Sequence, residues 1–515
     1  MRLGDVLVAI SLATDLGLGQ PSEHMVRSAR LSMRLGERLS LDTAQLAVLY
    51  DVALLTYVGC PVYGNEAAVV FGDDIDFRSG TYDVDLGARD GMRYLLGQAG
   101  REGSAGHRTR QRVGLVTSAG RRVAEQMANH CSVAGLLADQ LGLDPDVRTG
   151  IEQSYARWDG KGVPRGLRGE QLSLASRISH VADAAEVLER RLGLDKTIAA
   201  IRSRSGTHFD PTVVEALATA PQSLFDGIAD SSVDQVVDLE PIERPALTDD
   251  ELDSSLAAVG DFCDLRMPCF AGHARGTAEL SASAAEVLQL PTETARVLRR
   301  AAYIHDVGRF GVPANVLAKP GPLTGTDGER MRMHAYYVER IFNRPEPLRR
   351  VGLVASMHHE RMDGSGYYRA ATGAVLTNPC RILAVADAYT AMLHPRPYRS
   401  ALTPEDAARE IRTDVAAGRL DPTAAQAVLE VAGHGRSTTR SGGPAGLTAR
   451  ECEVLALLTA GLVNKEIARR LNVSPKTVGN HIEHIYAKLG VANRAGAALL
   501  AIRHGVVSAA LPARS

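Results

Sequence analysis

AGHARGTAELSASAAEVLQLP, residues 271–291, decides the fold, because the chain carries a second version of it, SEHMVRSARLSMRLGERLSLD, at 22–42. In both, apolar residues recur at intervals of three and four, the spacing of one helical face, and both end in a Leu-x-Leu turn. Distances further along agree. Thr56 follows His24 by 32 residues, and His305 follows His273 by the same 32. A later block, WDGKGVPRGLRGEQLSLASRISHVADAAEVL at 158–188, parallels MDGSGYYRAATGAVLTNPCRILAVADAYTAM at 362–392. Asp183 and Asp387 each lie 24 residues beyond the Asp of their own Asp-Gly pair, and His130 and His334 each lie 29 before it. Three independent spacings make the chain a tandem repeat of one helical unit.

At 515 residues the chain exceeds what one hydrophobic core supports, so several domains are expected. A composition 45% hydrophobic and 23% charged can bury cores, yet no apolar run approaches the length needed to cross a bilayer. Met1 to Leu18 is interrupted by Asp5 and Asp15 and lacks a small-residue cleavage pattern, so no secretion signal is read and a cytoplasmic, non-membrane protein is expected. Six scattered cysteines, Cys60, Cys131, Cys263, Cys269, Cys380 and Cys452, form neither a disulfide framework nor metal-site pairs, and are expected to be reduced. A net charge of -2 excludes a surface that is basic throughout, though not a local basic patch.

The expected architecture is all-α: two tandem helical bundles, then a small four-helix domain. The first copy, 1–225, carries roughly 45 extra residues near 60–112, rich in Gly and Asp, which read as an inserted surface loop. Residues 226–262 read as the connection, 263–433 as the second copy, 434–446 as a flexible linker and 447–511 as the last domain.

The second copy holds His273, the adjacent pair His305 and Asp306, His334, the adjacent pair His358 and His359, and Asp387. Any one histidine could simply pack or cap a helix. Together, buried and unpaired, these groups would cost several kcal/mol, whereas converged they supply the nitrogen and oxygen donors of a two-metal centre. In such a centre the carboxylate of an adjacent His-Asp pair can bridge two cations about 3.5 to 4 Å apart.

The segments YIHDVGRFGVPANVLAKPGPLTGTDGERMRMHAYYVERI, HHERMDGSGYY, RILAVADAYTAM and RPYRSALTPEDA, in that order from about His273 to Gly433, resemble the HD-GYP family of metal-dependent phosphodiesterases. The resemblance implies hydrolysis of cyclic di-GMP and two divalent metal ions, iron or manganese, held by His273, His305, Asp306, His334, His358, His359 and Asp387. Asp306 and Arg309 would be catalytic, and Arg309, Gly366 and Tyr367 would bind substrate. The expected chemistry is in-line displacement at phosphorus, with Arg309 offsetting charge on the nonbridging oxygens. Three departures bear on this. Arg309 stands where many members have lysine, and a guanidinium stabilises charge but donates no proton. Tyr368 replaces the proline of Gly-Tyr-Pro, removing a stiff residue from the loop. Cys269 replaces the glutamate of three-metal members. No general acid is assignable, and a ligand-sensing domain with negligible turnover is the alternative reading.

Laid on the second copy, the first keeps His24, His130 and Asp183 but has Thr56 and Tyr57 for the His-Asp pair, and Ser154 and Tyr155 for the two adjacent histidines. Loss of the bridging carboxylate predicts a catalytically dead copy, which either packs as scaffold or binds a nucleotide without cutting it. It retains Gly162, Val163 and Pro164 and the segment GTHFDP at 206–211.

The tail, 447–503, alternates short helical patterns with breaks at Gly461, at Asn472 to Ser474 and at Gly490 and Val491. Ser474 can cap a third helix that starts with Pro475, where a missing amide proton costs nothing. That helix is expected to expose Lys476, Thr477, Asn480 and His481 while Val478, Ile482 and Ile485 face the core. Eight Lys or Arg against four Glu concentrate positive charge here. LTARECEVL, GLVNKEIARRL, VSPKTVGNHI and YAKLGVANR resemble the LuxR-type helix-turn-helix family, which implies binding of double-stranded DNA and a homodimer. By that resemblance Lys476, Thr477, Asn480, His481 and Lys488 would contact DNA. A cyclic dinucleotide, bound or turned over in the helical half, is expected to control this binding.

Overall fold

The computed structural model describes residues 1–85, 89–101, 103–115, 120–434, 447–503 and 506. Its regular elements are helices; the described residues contribute only isolated β-bridges, such as Asp363 with Thr372. The linker read at 434–446 lies, beyond His434, outside the described residues. No helix is long and apolar enough to cross a membrane among the described residues. The six cysteines are free. The chain divides into two compact units, one of Met1–Leu252 with Pro313–Asn315 and one of the remaining residues from Asp253 on.

The repeat is visible helix by helix. Leu3–Leu18, His24–Arg38, Thr43–Leu55 and Pro145–Glu152 in the first unit correspond to Asp249–Asp264, His273–Val287, Thr292–Ile304 and Arg349–Ser356 in the second. The paired helices have the same lengths, 16, 15, 13 and 8 residues. Their ends match at the backbone as well: Glu23 and Gly272 precede the second helix of each copy with positive φ, 71° and 79°. Ser40 and Gln289 follow it with φ of 60° and 51°. Leu174–Leu192 and Asn378–Leu393 pack against the His24 and His273 helices and are buried on nearly all sides, in unbroken runs at 178–183 and 382–387.

Two stretches read as irregular are helical. The insertion forms Gly64–Phe71, Asp74–Thr81, Arg89–Gln98 and Ala105–Gly114, where a surface loop was expected. Asp73 accepts the Ile75 and Asp76 amides and Ser104 the His107 amide, so two of these helices have side-chain N-caps. Phe71 stacks on Phe77 with ring centroids 3.8 Å apart, and with buried Ala99 and Leu115 they form a small separate core. Within 226–262, read as the connection, lie Val233–Val237 and the start of Asp249–Asp264, whose Leu252, Leu256 and Phe262 are buried.

The last domain has the four expected helices, Ala449–Thr459, Asn464–Leu471, Pro475–Leu489 and Arg494–Arg503. Thr448 and Glu451 form a reciprocal capping box, and Ser474 accepts the Thr477 amide at 3.0 Å. Val454, Leu455, Leu458, Ile467, Val478, Ile485 and Ala501 close the core.

Candidate metal centre and nucleic-acid interface

The second unit brings all seven expected donors together from five helices. His273 opens its helix, His305 and Asp306 follow Thr292–Ile304, His334 lies within Gly325–Phe342, His358 and His359 follow Arg349–Ser356, and Asp387 lies within Asn378–Leu393. They form two groups, His273, His305, Asp306 and Asp387 in one and His334, His358 and His359 in the other, each with donor atoms within 4.8 Å of one another. Asp306 joins them. Its Oδ2 lies 3.3 Å from His273 Nε2 and 3.1 Å from His305 Nε2, while its Oδ1 lies 3.6 Å from His334 Nε2 and 3.7 Å from His358 Nε2. Asp387 reaches His273 at 3.0 Å through Oδ1 and His359 at 3.9 Å through Oδ2.

The ring orientations suit cations. His305, His334 and His358 each direct Nδ1 at the carbonyl three residues earlier, Ala302, Met331 and Ala355, at 2.7, 2.5 and 2.7 Å. With Nδ1 donating there, Nε2 of each ring is the atom turned inward, and in a neutral imidazole it offers a lone pair. Yet His334 Nε2 faces His358 Nε2 at 3.1 Å, and His305 Nε2 faces His273 Nε2 at 3.3 Å. Two imidazole nitrogens face to face at this distance need a proton or a cation between them. Neither oxygen of Asp306 accepts a well-aligned hydrogen bond although both are buried. The donor set therefore fits two divalent cations sharing one carboxylate.

Electrostatics separates the two groups. Burial presses the His305 imidazole toward its neutral form, but Asp306 and Asp387 outweigh this and carry its pKa up to about 10. Burial wins at His334, lowered to about 4, and at His358, lowered further by His305 and His334. Asp306 resists its own burial because Arg309 and His305 hold it well below the usual carboxylate range. The carboxylate-rich side thus favours a protonated His305, and a cation held there would take the place of that proton.

Arg309 lies beside the centre. Its Nη1 is 2.5 Å from Asp306 Oδ2, and its guanidinium stacks on the Phe270 ring at 4.2 Å. Arg396 covers Phe270 at 4.7 Å and donates to the Cys269 carbonyl, so an arginine occupies the neighbourhood of Cys269, the position of the family's third-metal glutamate. Tyr367 stacks on His359, centroids 4.6 Å apart, and Arg332 lies over its ring. Gly366 has no room for a side chain: an added Cβ would sit 2.5 Å from the Arg361 amide and the His359 carbonyl. Tyr368 packs edge-on against Tyr336.

The first copy gathers a different set. His24 is clamped between Asp183 Oδ1 at 2.9 Å and Glu186 Oε2 at 2.6 Å. Burial works against its charge, but these two acids carry its pKa up to about 10, and despite burial His24 and nearby arginines hold Glu186 down to about 2. Tyr155 contacts Cys60 Sγ at 2.6 Å, Tyr57 leans on Tyr155, and Tyr82, supplied by the insertion, donates to Asp183 at 3.3 Å. A protonated imidazole and tyrosines thus occupy the positions equivalent to metal ligands, and no group of three or more metal-binding donors appears there among the described residues. His130 lies on Gly120–Gln140, but its side chain falls outside the described residues.

In the last domain Pro475–Leu489 exposes Lys476 and Asn480, as expected, together with Glu483, His484 and Ala487. Thr477 and His481 lie half-buried on one flank, and the Thr477 hydroxyl pairs with Ser474. Lys488 donates to Glu451 at 2.7 Å and so ties this helix to the first.

Sequence reading missed several residues that build these sites. Asp15 and Asp264 stand nine residues before His24 and His273 and accept the Met25 and Ala274 amides at 2.9 Å. Burial raises both to about 7. Their equal spacing in the two copies was the available signal. Glu360 accepts the Arg369 and Ala371 amides at 2.8 Å each and pins the loop bearing Gly366 and Tyr367. Gly308 lets the segment after Asp306 touch the His334 backbone. Glu483 and His484 share the exposed helix face, three and four residues beyond Asn480.

Comparison with known proteins agrees with this geometry. The HD domain family profile matches residues 116–213 and 258–424, and that of bacterial regulatory proteins of the luxR family matches 445–501. The 3'3'-cGAMP-specific phosphodiesterase 3 of Vibrio cholerae serotype O1 is 29% identical over 425 residues, covering 82% of this chain and 92% of that protein. The cyclic di-GMP phosphodiesterase response regulator RpfG of Xanthomonas campestris pv. campestris is 38% identical over 148 residues, 28% of this chain and 39% of that one. A crystal structure of a cyclic GMP-AMP specific phosphodiesterase of V. cholerae superposes with a TM-score of 0.59 at 24% identity, covering 84% of this chain and 98% of that one, and so shares the fold. The family profiles and relatives, together with two converged donor groups and a carboxylate between them, place this chain in the HD-domain family, as an HD-GYP-type metal-dependent phosphohydrolase fused to a LuxR-type helix-turn-helix domain.

Proposed function

We propose that the second copy hydrolyses a cyclic dinucleotide and that its ligand state controls DNA binding by the C-terminal domain. The observation that carries this reading is Asp306, with one oxygen toward each donor group. His273, His305, Asp306 and Asp387 would hold one cation, and His334, His358 and His359 with the other Asp306 oxygen the second. Such a pair supplies Lewis acidity toward a phosphodiester and lowers the pKa of water near neutrality. A set rich in imidazole with two carboxylates suits iron or manganese. Arg309 offsets charge on the phosphoryl oxygens, while Gly366 and Tyr367 border the substrate. Lys476, Thr477, Asn480, His481 and Lys488 serve the DNA side, in a cytoplasmic homodimer. The relatives' activities, on cyclic di-GMP and 3'3'-cGAMP, name the two substrates to try first.

Metal analysis of the purified chain, followed by assays on both cyclic dinucleotides with Mn or Fe, tests the reading. Linear product that disappears in Asp306→Asn supports it. One contact favours a sensor without turnover: Arg309 occupies the Asp306 oxygen that faces His273 and His305. Metal retained, nucleotide bound and no linear product formed would select that second reading.

A further inference from the structure

Four glutamates lie in the DNA-reading domain, and three have structural work. Glu451 caps the first helix and receives Lys488, Glu453 pairs with Arg450 at 2.6 Å, and Glu466 accepts the Val463 amide at 2.9 Å. Glu483 is exposed on Pro475–Leu489 and has no ion pair or side-chain hydrogen bond among the described residues. At about 100° per residue it shares a face with Lys476, Asn480 and Ala487, opposite buried Val478, Ile482 and Ile485. A carboxylate on the face that meets a polyanion is unfavourable unless it finds a donor.

One turn earlier on the same side stands Gly479. Its backbone is not in the left-handed region, and a Cβ built there would meet nothing within 4 Å. Neither φ nor packing requires glycine, which lowers helix stability relative to alanine. Side chains in a helix lean toward its N-terminus, so Glu483 reaches back over the space Gly479 leaves open. On its own major-groove edge cytosine carries the N4 amino donor with only C5–H on its outer side, whereas the adenine N6 donor lies next to N7, an acceptor that repels a carboxylate.

We infer that Gly479 and Glu483 form a base-reading pair in which Glu483 accepts from the N4 amino group of a cytosine and Gly479 admits the base edge close to the helix backbone. Lys476 supplies phosphate attraction, and the carboxylate supplies discrimination.

The test uses the full-length chain and a random duplex library. Selected sites should contain, in each half-site, one cytosine whose replacement by thymine weakens wild-type binding by about tenfold or more. Glu483→Gln should lose that preference while keeping the rest of the site. Gly479→Leu should weaken binding to every sequence at unchanged or raised Tm, since leucine is the better helix former. Lys476→Ala should reduce the salt dependence of binding, whereas Glu483→Ala should leave it unchanged. Selection of the same cytosine by Glu483→Gln overturns the inference. So does Glu483→Ala binding all sequences more tightly, the mark of a carboxylate that merely repels phosphate, and so does Gly479→Leu binding as wild type does. A wild-type chain that enriches no sequence overturns DNA reading by this domain altogether, and that arm separates the two failures.

Discussion

Replacing Gly308 by alanine should remove metal from the second copy without touching any ligand. The Cβ would lie 1.9 Å from the His334 carbonyl oxygen, 2.8 Å from its carbonyl carbon and 3.0 Å from the Tyr337 Cβ. Real Cβ atoms keep at least 3.0 Å from their neighbours, so the segment bearing Asp306 and Arg309 must move from the His334 helix by about 1.1 Å. The neighbour is backbone within a helix, which cannot swing aside as a side chain could. Metal–ligand distances tolerate only about 0.2 Å, so a displacement several times larger takes the Asp306 oxygen out of reach of the group containing His334 and His358. Overpacking of this kind costs about 1 to 3 kcal/mol, and metal affinity should fall by roughly 10- to 100-fold or more. Elemental analysis after dialysis against graded chelator, with thermal unfolding alongside, reads both effects. Gly321→Ala, where an added Cβ meets nothing within 4 Å, is the control and should leave both unchanged. Wild-type metal content and affinity in folded Gly308→Ala would refute the account of how the two donor groups are held together.

Other expectations follow from single contacts. Glu360→Ala frees the Arg369 and Ala371 amides and should raise KM for a cyclic dinucleotide more than it lowers kcat, with metal content retained, as steady-state kinetics will show. Chelator should lower the unfolding temperature of the second copy and leave the first unaffected, because the latter pairs its acids with His24; hydrogen exchange on each copy distinguishes them. The pH dependence of the first copy has a defined sign. His24 is raised from 6.5 to about 10, so its contribution is complete below pH 6.5 and lost as pH rises through 10. Glu186 is lowered from 4.5 to about 2, so its contribution is present above pH 4.5 and lost as pH falls through 2. The Tm difference between wild type and His24→Gln should be greatest near pH 5 to 6 and shrink as pH rises from 6.5 to about 10. Glu451→Ala removes a capping box and the partner of Lys488 and should cost the last domain about 1 kcal/mol in chemical denaturation.

Much of the architecture was legible because it repeats. The interval from His24 to Thr56 equals that from His273 to His305, and the paired helices have equal lengths because the same apolar spacing dictates the same burial. The tail was legible for a local reason: caps, breaks and helix starts lie within a few residues of the helices they govern. The insertion was harder to read. Its Gly and Asp content suggests loop, but capping by Asp73 and Ser104 and the stacking of Phe71 on Phe77 make it helical, and no composition reveals that Tyr82 ends beside Asp183.

By itself the sequence determined the helical repeat, the seven candidate donors of the second copy, the loss of the His-Asp pair in the first and the helix-turn-helix tail. Each rests on residue type and spacing along one chain. Only the tertiary structure decided how the donors divide into two groups, which Asp306 oxygen serves each, that Arg309 contacts the same carboxylate, and that Lys488 is tied to Glu451. Those facts depend on distances between atoms far apart in sequence, which packing of the helices fixes and periodicity along one helix does not encode.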